Sequence, residues 1–207
     1  MAESSGDETS LLLPQHLQAK LEQDCIQIVH FKKLHSLPVD MSVETILRNY
    51  WTYANDMATE ETNIPILKEV LDGIKIYFDF MLRDHLLYSE ERHQYDLEIT
   101  KKRHLTNTNC VNSDEGTPNI NNDDTVMMPS SVYGISHLLR LFVKMPLFLI
   151  QAKFPTTHIN LLNQHFKDLL TYMSQNPDLL FSDEKYVSSD SLDLIASSLT
   201  SSNSIST

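Results

Sequence analysis

From Leu138 to Ile150 the only polar side chains are Arg140 and Lys144, four residues apart, so a helix here has one narrow wet strip and is otherwise apolar. Its apolar sets 138, 142, 145, 149 and 139, 143, 150 both keep helical spacing, which predicts that at least two other helices cover it. Pro146 is expected to end or kink it after Met145. Other stretches repeat the pattern. Pro14 precedes a helix with Leu17, Leu21, Cys25 and Ile28 on one face, ending near His30. The piece from Phe31 to Met41, containing Leu37 and Pro38, reads as an extended connection. Ser42 is placed to cap a second helix reaching about Met57, with Trp51 at the margin of its apolar face.

Pro65 suits the first turn of a third helix, in which Leu67, Leu71, Ile74, Phe78 and Met81 keep register across Gly73. That glycine is expected to admit close packing against a neighbour. Glu90 to Thr100 reads as a short charged helix. From Lys101 to Met128 periodicity fails and Asn, Asp, Thr, Ser, Gly and Pro dominate, which predicts a disordered insertion. After the central helix, Thr156 or Thr157 can cap another with Ile159, Leu162, Phe166, Leu169 and Met173 in register, and Asn176-Pro177 starts a short turn through Phe181. Residues 1–10 and the serine-rich 188–207 read as disordered ends. One all-α domain over 11–187, broken by the insertion at 101–128, accounts for the pattern.

Charge narrows the function. With 16 Lys+Arg against 28 Asp+Glu, the net charge of −12 opposes contact with a phosphate backbone unless basic residues cluster. The densest basic run, Lys101-Lys102-Arg103-His104, reads as a solvated helix end. Cys25 and Cys110 make no zinc motif and suit a reducing compartment. The acidic first ten residues lack signal-peptide order, and no apolar stretch is long enough to span a membrane.

Catalytic chemistry finds little support. Four glycines, all far apart, exclude phosphate-cradling and dinucleotide-binding turns. Gly134-Ile135-Ser136-His137 lacks the second glycine and the strand of a nucleophile elbow. Nine histidines form no ligand motif, so exposed or capping roles are expected, with no metal and no cofactor. Glu90 and Glu91 point apart on a helix and cannot share a proton. Arg140 in a mostly apolar helix must be a paired charge, with Glu91 or Asp84 as partner.

Taken together, Ser131-Val132-Tyr133-Gly134-Ile135-Ser136-His137-Leu138-Leu139-Arg140-Leu141-Phe142-Val143-Lys144 resembles the signature of the MRG domain of mortality-factor and male-specific-lethal chromatin proteins. Leu13-Pro14, Leu37-Pro38, Val43 to Leu47, Gly73 to Phe78, Leu86-Leu87-Tyr88, Glu91-Arg92 and Gln94-Tyr95 follow in the family's order, so the resemblance covers roughly residues 11–187. It implies an all-helical adaptor with room for a small β-hairpin near the first connection. It also implies a nuclear location and partners in histone acetyltransferase and deacetylase complexes.

Carried over residue by residue, the family's shallow partner groove falls on Leu13, Glu22, Cys25, Tyr88, Val143 and Lys144, and its ligand is a short apolar segment anchored by a phenylalanine and a leucine-proline pair. The chain departs from the family in three ways. No chromodomain fits ahead of Leu11, Lys20 and Cys25 stand where tryptophan is usual, and the insertion is like that of the male-specific-lethal branch. Periodicity alone makes Val143 core and lets Tyr88 bury its ring at the end of an element. A helical nucleic-acid binder, to be seen as salt-dependent DNA retention, is the first alternative, and a helical-bundle enzyme with paired Glu-x-x-His motifs the second.

Overall fold

A computed structural model describes residues 13–58, 64–98, 128–182 and 185–188. Among the described residues, seven helices and one two-stranded antiparallel ribbon make up the architecture, in keeping with the expected all-α class. The predicted insertion and both predicted disordered ends lie outside the described residues except for Met128 and Ser188, and Ser188, read as the start of the disordered tail, is instead paired in a strand.

Helix α1 (Gln15–Cys25) starts behind Pro14, and its turns continue in a π-helical turn, Ile26–His30, ending where the periodicity predicted. Leu17 and Ile28 are fully buried, while Leu21 and Cys25 are only partly covered. Lys32 takes a positive φ of 52°, which turns the chain out of the helix into strand β1 (Lys33–His35). Helix α2 (Val43–Asp56) is capped by Ser42, whose Oγ accepts the Thr45 N–H at 3.3 Å.

Helix α3 (Ile64–Met81) contains Pro65 in its first turn, where a missing N–H costs nothing, and runs on as a π-helical turn, Leu82–Leu86. Gly73 sits in its interior. The expected neighbour is not found among the described residues, where a Cβ built at Gly73 would have nothing within 4 Å. Glycine at such a position weakens a helix by roughly 0.5–1 kcal/mol relative to alanine. A 3-10 turn, Ser89–Glu91, leads into helix α4 (92–98).

Helix α5 (Ile135–Gln151) is the centre of the domain. Every residue from Ile135 to Phe142 is buried, and α1, α2 and α3 all pack against it. Burying each Leu, Ile or Phe is worth roughly 1.5–3 kcal/mol, so this half-helix anchors the core. Pro146 lies inside it and does not end it. The missing N–H falls beyond the fully buried part, where the turns on either side hold the helix together. The second apolar set is not covered throughout: Val143 and Ile150 are exposed.

Gly134, just ahead of α5, is a true close approach, since a Cβ there would lie 3.1 Å from Val39 Cγ2 and 3.3 Å from Met41 O. The first connection is tied down beside it by Val39 N–H to Val132 O at 3.0 Å and Val43 N–H to Tyr133 O at 2.8 Å. Helix α6 (Thr156–Gln175) begins at Thr156 itself, behind Pro155 and with no side-chain cap, so neither threonine caps it as expected. Helix α7 (Pro177–Phe181) follows. Strand β2 (Tyr186–Ser188) then pairs with β1 in the register Lys33↔Ser188, Leu34↔Val187, His35↔Tyr186, which supplies the small ribbon at the first connection from the far end of the domain.

Candidate functional site

Beneath the surface between α1, α4 and α5 lies a cluster of charged and polar groups with almost no contact with water. Asp24, His35, Glu91, His137 and Arg140 are each 1–5% exposed. Arg140 Nη2 donates to Asp24 Oδ2 at 2.6 Å, while Nη1 donates to Glu91 Oε2 at 2.6 Å and to Leu86 O at 2.9 Å. His35 Nε2 meets Asp24 Oδ1 at 2.7 Å, and His137 Nε2 meets Glu91 Oε1 at 2.8 Å. The Tyr186 hydroxyl adds a bond to Asp24 Oδ1 at 2.9 Å, and Gln94 Nε2 donates to His35 O at 2.7 Å. Such a cluster is tolerable out of water only because donors and acceptors are matched.

The charges set one another's protonation. Burial alone would raise the Asp24 carboxyl, but the hydrogen bond from His35 and the charge of Arg140 hold it far below the usual carboxylate range. Burial also works against Glu91 ionising, yet His137 and Arg140 bring it down to about 2. His137 is lowered to about 4 by burial and by Arg140, with Glu91 pulling the other way and losing. Both carboxylates are therefore ionised and His137 neutral near pH 7.

Glu91 is thus the partner expected for Arg140, and Asp24 is a second one. Asp84 is not a partner; it faces Arg83 at 3.6 Å on the surface. Glu90 turns the other way and pairs with Lys32 at 2.8 Å. His35 and His137 depart from the exposed or capping roles expected of the histidines, because both complete buried pairs with carboxylates.

Donor atoms of His35, Glu91 and His137 lie within 4.8 Å of one another. The set fits a metal poorly. Glu91 already gives both oxygens to Arg140 and His137, His35 is held by Asp24, and a cation placed there would face the Arg140 guanidinium. The acid–histidine pairs are buried among the described residues. Their chemistry is to hold α1, β1, α4, α5 and β2 together.

Directly above this cluster the surface is concave. A cleft of about 430 Å³ is lined by Leu13, Gln18, Leu21, Glu22, Cys25, Tyr88 and Val143. Five of the six residues singled out from the resemblance therefore line one cleft. The sixth, Lys144, is exposed on α5 next to Val143 but does not line it. Val143, which periodicity alone assigned to the core, is 51% exposed. Lys20, the other substituted position, lies over the Phe181 ring at 5.2 Å, away from the cleft.

Tyr88 joins the two layers. Its ring stacks on the Arg140 guanidinium at 4.2 Å, and its backbone N–H donates to Glu91 Oε2 at 2.8 Å. Burial and a hydrogen bond with Cys25 push its hydroxyl above the usual tyrosine range. The wall that Tyr88 gives the cleft is thus fixed from below by the buried ions.

Sequence reasoning overlooked Asp24, His35, Gln18 and Tyr186. Asp24 had a signal. It lies seven residues after Leu17 and four before Ile28, on the same apolar stripe, so an acid there needs a buried partner. Tyr186 had none, because its role depends on a strand register that no local pattern shows.

The chain is 32% identical over 180 residues to the chromatin modification-related protein EAF3 of Mycosarcoma maydis, covering 84% of this chain and 53% of that protein. It is 32% identical over 179 residues to human mortality factor 4-like protein 1, covering 86% and 43%. To the NuA4 complex subunit EAF3 homolog of Dictyostelium discoideum it is 34% identical over 179 residues, covering 86% and 39%. The chain thus spans about half the length of the curated relatives it matches. The sequence profile of the MRG family matches residues 2–188, and the chain belongs to the MRG family.

Proposed function

We propose that this chain is a chromatin-associated adaptor of the nucleus that scaffolds histone acetyltransferase or deacetylase complexes in transcription regulation. Its cleft takes a short apolar segment of a partner protein, anchored by a phenylalanine and a leucine-proline pair. The observation that carries this reading is the position of Val143. An aliphatic side chain on the most buried helix of the domain is turned outward, into a cleft it shares with Leu13, Glu22, Cys25 and Tyr88. Relatives named for chromatin modification, and one named as a subunit of the NuA4 complex, support the cellular setting.

The test uses the full chain as bait in nuclear extract, with bound proteins identified by mass spectrometry. Val143→Asp places an unpaired charge against the ligand and Tyr88→Ala removes a large contact, so each should weaken capture by about 2 kcal/mol, roughly 30-fold. Lys144→Ala should cost less, because an exposed charge at the edge is screened. As Val143 is exposed, Val143→Asp should melt within about 2–4 °C of wild type. Tyr88→Ala also loses the Arg140 stack and should melt lower, which makes Val143→Asp the deciding variant. Acetyltransferase or deacetylase subunits captured by wild type and undiminished with folded Val143→Asp would place partner binding elsewhere.

A further inference from the structure

Tyr186 does not line the cleft, yet the walls of the cleft are held through the buried group that its hydroxyl reaches. Asp24 directly precedes Cys25 on α1, in the turn that forms one wall. Its Oδ2 accepts from Arg140 Nη2 at 2.6 Å and from Nε at 3.2 Å. Arg140 stands three residues before Val143 on α5, and its guanidinium carries the Tyr88 ring at 4.2 Å. The three sides of the cleft, α1, Tyr88 and α5, thus meet at one Asp24–Arg140 pair. At the seam itself the Tyr88 hydroxyl bonds to Cys25.

The other oxygen of Asp24 belongs to the ribbon. Oδ1 is held by His35 Nε2 of β1 at 2.7 Å and by the Tyr186 hydroxyl of β2 at 2.9 Å. These two residues are paired in register, with ring centroids 4.6 Å apart. The terminal torsion of an aspartate is soft, so the direction in which its oxygens point is set by their partners. Arg140 is already fixed from its other side by Glu91 and by Leu86 O. When a donor to Oδ1 is lost, α1 is therefore the wall that is free to shift.

We propose that Tyr186 is a positioning residue for the cleft: by orienting the Asp24 carboxylate, β2 sets the α1 wall against Tyr88. As the working site of the domain is the cleft only under the adaptor reading, the proposal rests on that reading, but its main readout needs no partner protein.

The test follows alkylation of Cys25 by iodoacetamide in the full chain, measured by mass spectrometry of the peptide that carries it, well below the melting temperature of every variant. Tyr186→Phe keeps a ring against His35 and loses only the hydroxyl, so it should melt about 2–4 °C lower. Its Cys25 should react about two- to tenfold faster, the fold-change that one hydrogen bond represents. In a Tyr88→Phe background the bond to Cys25 is already gone, and Tyr186→Phe should then change the rate by less than about twofold. Ile46→Val, buried on α2 and away from the cleft, should melt about as much lower and leave the Cys25 rate unchanged. In nuclear extract, Tyr186→Phe should capture several-fold less of the partners that wild type retains.

Equal Cys25 rates in wild type and Tyr186→Phe overturn the proposal. The same acceleration with and without Tyr88→Phe also overturns it, as does an equal acceleration by Ile46→Val, which would make the hydroxyl a stabilising contact only. If Val143→Asp weakens capture and Tyr186→Phe does not, the positioning role falls and the adaptor reading stands. If Val143→Asp captures as wild type does, the adaptor reading falls and the Cys25 rates alone decide the role of Tyr186.

Discussion

Arg140 satisfies two carboxylates in a nearly dry setting, and the arrangement is stable only as a whole. Desolvating an isolated ion costs several kcal/mol, so the cluster is better described as fixing relative positions than as adding stability. His137 carries a testable consequence. Its folded pKa is about 4 against an ordinary 6.5, so between those values the unfolded chain binds a proton that the folded chain refuses. Stability should therefore fall as pH drops from 6.5 toward 4. Glu91, lowered from 4.5 to about 2, extends the loss below that. Urea unfolding of His137→Gln should show a flatter profile across the upper window, with wild type losing on the order of 2 kcal/mol more than the variant. At this scale, which residues would be charged and buried was partly legible. Arg140 in an apolar run demanded a partner and Glu91 was within reach of the argument, whereas His35 and His137 looked like ordinary polar residues because no spacing rule marks a histidine for burial.

At the level of elements, helical periodicity located the long helices among the described residues, and its misses are physical. Pro146 reads as a break on local chemistry, yet α5 runs through it because the helix is held by its buried half. Replacing Pro146 with Ala restores an N–H for the Phe142 carbonyl, so the variant should melt about 2–4 °C higher, a gain of about 1 kcal/mol. An unchanged or lower melting temperature would show that the surrounding side chains have adapted to the proline. Periodicity also assigned one apolar face too many to the core. Hydrophobic spacing shows that a residue shares a face with others, but not whether the chain itself covers that face. Val143 and Ile150, which it placed on covered faces, are both exposed, and Val143 lines a cleft.

On the scale of the molecule, Arg140 reaches Asp24 and Glu91 from the far side of the undescribed stretch, which supports the proposal that the segments on either side of 101–128 form one domain. Limited proteolysis should cut within 101–128 and leave two fragments that co-purify; fragments that separate without denaturant would contradict this. The all-α class and the order of helices were legible from the sequence, as low glycine and long periodic segments leave few alternatives. The β1–β2 pairing was not, for it joins residues at opposite ends of the domain. That pairing also bears on how the protein is made. The Tyr186 hydroxyl bonds to Asp24 across 162 residues, and at a synthesis rate of about 5–20 residues per second roughly 8–32 s separate the two on a ribosome. Until then Asp24 lacks the Tyr186 donor, so its set of hydrogen-bond partners is completed only after β2 has been made.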